Sequence, residues 1–401
     1  MPAFVFPGQG AQRPGMGRPW IDHPSWEVVA DASEAAGRDI GRLLLDARPD
    51  ELTETSNAQL ATFTFSLLVI DAVERLGIEP TGVAGHSVGE FSALAATGAI
   101  GFEDGVRLMT ERGEAMQAAG EGQPGTMSVI GGCDAETADV ACRLADGDVW
   151  VASFNSADET VIGGEAGAVA RAESYALELG ARHTSPVGAG VAVHTPFMAP
   201  VRSRLRKILA TVAFHDADVP VVANVDGRPH TSAEDWARLL SAQLVSPVRW
   251  RQSVMRLDGL LEPGADAGRL FVELGAGEAL SGMIRAILPN VTTVAVSVPA
   301  DLNRLVDAIS GDTALHDYAL GHQGEHLYIS ERVVISPGPG IFRPAGDLDL
   351  GAGTTISVGS LLGTVSGVDV RSPFAGRLEG ALAQPGERVQ TGQPIAWLHA
   401  S

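Results

Sequence analysis

Residues Gly82–Ala95 read GVAGHSVGEFSALA, and this stretch decides the fold. An apolar run leads into Gly85-His86-Ser87-Val88-Gly89, and a helical pattern starts directly behind it. These five residues fit G-x-S-x-G. A serine on a sharp strand-to-helix turn needs small neighbours, because side chains at the flanking positions would clash. The backbone N–H after the serine, here that of Val88, then points where an oxyanion would form. The five-residue pattern alone is common, and a plain tight turn is the alternative. The strand expected before it and the helix expected after it give it weight.

Working outward, the same rhythm recurs. PAFVFPGQG at the start reads as a buried strand stopped by a Pro/Gly turn. NAQLATFTFSLLVIDAVERLG reads as a long, mostly buried helix. VPVVANVDG and RLFVELGAGEALSGMIRAI add a strand and a strand–turn–helix. Strands alternating with helices imply an α/β domain with a largely parallel sheet. Near Gly125 the order becomes β-α-β-β-α-β, ending in SPVGAGVAVH as the last strand. That is the signature of an inserted ferredoxin-like subdomain. From Tyr328 onward helical periodicity gives way to short strands and Gly/Pro turns, an all-β module. The predicted division is a large α/β domain over 1–125 and 195–305, the inserted subdomain over 126–194, a linker over 306–327 and the β module over 328–401.

Composition narrows the function. The formal net charge of −21 argues against nucleic acid as a partner, since phosphate binding needs a basic surface. No apolar run reads as long enough to cross a bilayer, and the N-terminus lacks the pattern of a signal peptide. A cytoplasmic protein with no membrane partner is expected. Two cysteines, Cys133 and Cys142, match no metal or disulfide framework. His316, His322 and His326 lie close together in the linker, but no carboxylate or thiol framework of metal-ligand spacing supports a site, so a solvated linker and no metal are expected.

Ser87 needs a base. His86 is adjacent, but neighbours on such a turn point apart, which suits a packed role. His194, at the end of the inserted subdomain in GVAVHTPFM, is the other candidate.

FPGQGAQ at Phe6–Gln12, GHSVGE at Gly85–Glu90, RGEAM at Arg112–Met116, HTPFM at His194–Met198, QLVSPVRW at Gln243–Trp250 and ELGAG at Glu273–Gly277 occur in that order. Together they resemble the malonyl-CoA:acyl carrier protein transacylase family, over roughly residues 1 to 300. The resemblance implies an α/β-hydrolase-like large domain with an inserted ferredoxin-like subdomain. It implies Ser87 as nucleophile and His194 as base, with the ring oriented by the backbone carbonyl of Gln243. Gln9 and the N–H of Val88 would flank the oxyanion hole. Arg112 would pair with the free carboxylate of a malonyl group, a task that suits a planar guanidinium; without the resemblance it reads as a surface arginine. Gln59, Asn155 and Val193 would line the site. Acyl-CoA would be the substrate and an acyl carrier protein the acceptor. Malonyl is favoured, and a bulkier α-carboxyacyl group stays open because VAVH fits none of the family's usual patterns before the histidine.

The C-terminal phrases ISPGPGIF, TISVGSLLGTV, VRSPFAGRLEG and PGERVQTGQPIAWL resemble a biotinyl/lipoyl carrier domain, a flattened β-barrel. Its cofactor lysine is missing: Lys207 is the only lysine in the chain, and Ser366-Gly367 stands at the hairpin tip. No covalent cofactor is therefore expected. Docking of a synthase or carboxylase partner is one reading of 328–401, and a remnant that only packs is the other. Two functional alternatives to acyl transfer are an editing thioester hydrolase with the same Ser/His pair, and a non-catalytic assembly protein acting through the tail.

Overall fold

The strand ahead of Ser87 is Gly82–Gly85, and all four residues are buried. It lies inside a six-stranded sheet ordered Thr292–Val296, Leu270–Leu274, Ala3–Phe6, Gly82–Gly85, Val221–Val222, Pro229–His230. The first five strands run parallel, and the last is antiparallel to its neighbour. The expected mixed α/β fold is met. The structure, a computed structural model, describes residues 1–188, 190–261, 269–310, 331–346, 353–357, 359–372, 376–390 and 392–399. His316, His322, His326 and most of the expected linker lie outside the described residues. Two compact units emerge, Met1–Gly321 and His322–Ser401.

The central strands are buried on both faces, which explains their unbroken apolar sequence. Phe4, Phe6, Val83, Val272 and Leu274 face the larger core. Ala3, Val5, Ala84 and Phe271 face a smaller one, with Trp250, Val254, Leu257 and Ile284. The helix Thr55–Glu74 fills the larger core and packs on Phe102–Gly122 and Val88–Ala96. It corrects the expectation that no segment could cross a bilayer. By length and mean hydropathy (1.2) this helix qualifies, yet 89% of its apolar window is buried inside the protein. A central helix is apolar all round because it has no solvent face.

The inserted sheet is antiparallel, ordered Val149–Phe154, Glu159–Gly164, Thr126–Gly131, His183–Val187. The helices Ala135–Leu144 and Ala166–Glu178 pack on it around Ile130, Ala138, Val149, Ile162 and Ala172. One boundary differs from the sequence reading. The last strand stops at Val187, and VAVH does not continue it. Gly190 adopts φ +64°, turning the chain, and Val191 joins the larger core instead. The segment after Gln243 anchors the inserted sheet: Phe154 donates its N–H to Val248 O at 2.9 Å, and Val248 donates to Ala152 O at 3.0 Å. The helices Ala233–Gln243 and Trp250–Asp258 stand on either side of Pro247, where a helix interior would lose a hydrogen bond.

Among its described residues, the second unit holds two four-stranded sheets. One is ordered Glu331–Ile335, Pro394–His399, Gly376–Ala381, Thr355–Ile356; the other Val368–Arg371, Leu361–Val365, Gly340–Pro344, Arg388–Val389. All assigned pairs are antiparallel. Val334, Phe342, Ile356, Leu362, Leu378 and Leu398 share its core. Ser366 (φ +48°) and Gly367 (φ +84°) form the tip of a two-residue hairpin, the twist that a tight turn between strands requires.

Candidate active site

Ser87 sits between the strand Gly82–Gly85 and the helix Val88–Ala96 with φ +55° and ψ −109°. The flanking glycines are required by space. A Cβ at Gly85 would lie 1.8 Å from the Gly89 backbone, and one at Gly89 would lie 2.1 Å from Phe6 O. His194 also has a positive φ, +62°. Such backbone in non-glycine residues costs about 1–3 kcal/mol each and persists where surrounding structure over-determines it.

The strain brings the pair together. Ser87 Oγ is 2.7 Å from His194 Nε2. His194 Nδ1 is 2.8 Å from Gln243 O. A carbonyl can only accept, so Nδ1 carries the proton and Nε2 of the neutral ring is free to accept from the Ser87 hydroxyl. Burial holds the His194 pKa down, at about 3, with the Gln243 hydrogen bond opposing and the Arg112 and His86 charges assisting. The ring is therefore neutral near pH 7.

His86 faces elsewhere. Its Nε2 is 3.3 Å from Ser153 Oγ and 3.2 Å from Asn155 Oδ1, and its ring meets Trp250 edge-on at 5.6 Å. It ties the inserted subdomain to the turn, as a packed histidine would. Asn155, expected to line the site, is thus the partner of His86, and its amide donates to Glu159 Oε1 at 2.9 Å.

Arg112 is not a surface residue. It is fully buried on the helix Phe102–Gly122, with its guanidinium 5.1 Å from the Phe91 ring centroid. Nη1 donates to Gln59 Oε1, and Nη2 donates to Gln243 Oε1 at 3.3 Å. Nε has no partner among the described residues. Burial lowers its pKa to about 10, opposed by the charge of Glu90, so it stays cationic at neutral pH. Gln59 also donates to Met116 Sδ at 3.0 Å.

Gln9 follows the strand Ala3–Phe6 on a loop that presses on the turn: a Cβ at Gly8 would lie 2.6 Å from His86 O. The Gln9 side chain is half-buried. Val88 is buried, and its N–H, first in its helix, has no intrahelical acceptor. Val193 is half-buried and packs against the larger core and the inserted sheet.

Two buried residues here escaped the sequence reading. Asn224, just past the strand Val221–Val222, accepts the Ser87 N–H at 2.9 Å through Oδ1 and donates to Gly85 O at 2.6 Å. Glu90, in the first turn behind Ser87, accepts the Asn224 N–H at 2.9 Å and a hydrogen bond from Gln243 Nε2. The available signal was positional: a lone asparagine at the end of a buried strand, and an acid inside an apolar helix. Among the described residues, no cluster of three or more His, Cys, Asp or Glu could hold a metal ion.

A half-buried serine bonded to a buried histidine, with a buried arginine in the same network, suits transfer of an acyl group bearing a carboxylate. Residues 3–280 match the acyl transferase domain family. The chain is 35% identical over 312 residues to the malonyl CoA-acyl carrier protein transacylase of Bacillus subtilis, covering 77% of this chain and 96% of that one. A solved malonyl-transacylase in complex with the holo acyl carrier protein of a type II polyketide synthase superposes with TM-score 0.71 at 33% identity, covering 77% of this chain and 99% of that one. The acyl carrier protein S-malonyltransferase of Vibrio cholerae gives TM-score 0.71 at 34% identity, covering 76% and 99%. This chain belongs to the acyltransferase-domain family.

Proposed function

We propose that the chain moves a malonyl group from coenzyme A to the phosphopantetheine thiol of an acyl carrier protein, through an ester on Ser87. The observation that carries this is the 2.7 Å Ser87–His194 contact joined through Gln243 to the buried Arg112. Ser87 Oγ bonds to the thioester carbonyl carbon while His194 Nε2 takes its proton. The Val88 N–H and Gln9 receive the oxyanion. Collapse breaks the C–S bond, and the coenzyme A sulfur leaves with the proton from His194. The carrier thiol then attacks the ester by the reverse sequence, giving ping-pong kinetics. Arg112 anchors the carboxylate of the acyl group, and the names of the related transacylases support malonyl as that group. Gln59 and Val193 bound the acyl site, and Asn155 acts at one remove through His86.

The same proposal holds that the enzyme works in the cytoplasm without a covalently bound cofactor. It keeps the division into a hydrolase-like domain (1–125, 195–305), an inserted ferredoxin-like subdomain (126–194), a linker (306–327) and a β module (328–401). For that module we infer a biotinyl/lipoyl-like fold that serves docking of a synthase or carboxylase partner. Two small antiparallel sheets and a Ser-Gly hairpin tip support the fold, and the absence of lysine there argues against a swinging arm.

The test is intact-mass analysis with malonyl-CoA and acetyl-CoA, using Ser87→Ala and Arg112→Met. Malonylation should be absent from S87A, and R112M should lose about 100-fold or more of its malonyl over acetyl preference, the worth of a buried charge pair. Malonylation surviving S87A, or a preference surviving R112M, refutes the reading. Free malonate release that outpaces carrier loading would favour the editing hydrolase. Deleting 328–401 without changing rate, carrier choice or oligomeric state refutes docking.

A further inference from the structure

Among the described residues, Glu90 is the one buried carboxylate hydrogen-bonded into this network, and the mechanism above gives it no task. It is fully buried, three residues after Ser87, on the helix whose first N–H faces the reaction. Its Oε1 accepts from the Asn224 N–H, and its Oε2 accepts from Gln243 Nε2. Gln243 Nε2 also donates to Ser87 O at 2.9 Å. Both protons of that amide therefore have acceptors. The amide has one other end, Oε1, and that end receives Arg112 Nη2. Turning the amide over would set an NH2 group against a guanidinium, two donors face to face between two fully buried side chains.

An ionised carboxylate is an acceptor only, and Glu90, whose pKa burial raises to about 7, takes that form on the alkaline side of neutrality, where it dictates which end of the neighbouring amide it meets. We propose that Glu90 is a positioning residue that fixes the polarity of the Gln243 amide, and thereby holds Arg112 where the carboxylate of an incoming acyl group needs it. The backbone carbonyl of the same Gln243 holds His194, so one residue links the carboxylate anchor to the base. Among the described residues, Arg112 has two hydrogen-bonding side-chain partners, Gln59 and Gln243. Losing the direction of one leaves its fork aimed by Gln59 and the Phe91 ring alone. This inference rests on the malonyl-transfer reading and adds a specificity role to it.

The experiment compares the full-length wild type with Glu90→Gln and Glu90→Asp at pH 8, on the ionised side of the Glu90 pKa, measuring kcat and KM for malonyl-CoA and acetyl-CoA. Glutamine is isosteric but offers one acceptor where two donors wait, so either Asn224 N–H or Gln243 Nε2 loses its partner. E90Q should raise the malonyl-CoA KM and lower the malonyl over acetyl preference by about tenfold or more, the worth of one hydrogen bond to a charged group. E90D, still acceptor-only, should lose less of that preference than E90Q. A purely structural role would depress both substrates alike. Thermal melting checks folding, and if E90Q does not fold, Glu90→Met, which keeps the length and offers no acceptor oxygen, carries the test through the same ratio. An unchanged ratio in the folded variant overturns the inference. A wild type that Ser87 malonylation never labels overturns the transfer reading instead, so the two failures are separable.

Discussion

Gly89→Ala sets two physical rules against each other. Gly89 is the second residue of the helix Val88–Ala96. Helix propensity alone gives alanine a gain of about 1 kcal/mol there. The packing says the opposite. The new Cβ would stand 2.1 Å from Phe6 O, 2.7 Å from Phe6 C and 2.9 Å from Pro7 O. All three are backbone atoms, so no rotamer change relieves the contact. The helix start and the end of the strand Ala3–Phe6 must separate by about 1 Å, and a dense interior transmits such shifts. Overpacking of this kind costs about 2–3 kcal/mol. It also opens the gap between the Val88 N–H and the loop bearing Gln9, and a 1 Å misplacement costs on the order of 100-fold in rate. The assay is thermal melting with single-turnover acylation of Ser87. Gly282→Ala is the control, because it lies inside the helix Ala279–Ile287 with nothing within 4 Å of its Cβ. That variant should gain up to about 1 kcal/mol and keep full activity. A G89A protein as stable as the wild type and acylated at the same rate would refute the close-approach argument.

Two further outcomes are expected. His194→Gln should slow Ser87 acylation by about 10²–10⁴-fold, whereas His86→Gln should stay within about tenfold of wild type; equal losses in stopped-flow acylation would show the base is misassigned. Burial lifts the Glu90 pKa from 4.5 to about 7, against hydrogen bonds from the Asn224 N–H and Gln243, with the charge of Asp226 raising it and that of Arg112 lowering it. The folded state therefore binds more protons than the unfolded state between those values, and the Glu90 contribution to stability falls as pH rises through that window. The melting temperature of wild type minus that of E90Q should shrink from pH 5 to pH 8, and a gap independent of pH contradicts the buried-carboxylate account.

What could be read from the sequence follows the range of each interaction. The turn at Ser87 was legible because its constraints are local: two glycines, a strand before and a helix behind. The parallel sheet was legible from unbroken apolar runs such as AFVF and LFVEL, each buried throughout. The C-terminal strands announced themselves through Gly/Pro spacing. His194 needed the family resemblance, because its backbone turns at Gly190 and leaves the sheet earlier than the apolar run VAVH suggests. Glu90, Asn224 and the side chain of Gln243 could not be paired from sequence. Their contacts cross between 19 and 153 positions along the chain, and nothing in the local pattern of an apolar helix says which distant donor an acid will meet. The long apolar helix Thr55–Glu74 shows the reverse ambiguity: composition alone does not separate a buried core helix from a spanning one.

The way Arg112 is held has a consequence for anyone redesigning acyl choice. Its guanidinium supplies the proton that Gln59 Oε1 accepts and one that Gln243 Oε1 accepts. Exchanging Arg112 for an apolar residue strands both oxygens in a dry interior, each at a cost of about 1–3 kcal/mol. The Gln243 amide cannot simply turn over, because Glu90 grips its other end. On the proposed role of Arg112, a change at position 112 alone lowers malonyl preference at a cost in site stability, and a well-packed site for uncharged acyl groups calls for positions 59, 90, 112 and 243 to be rewritten together.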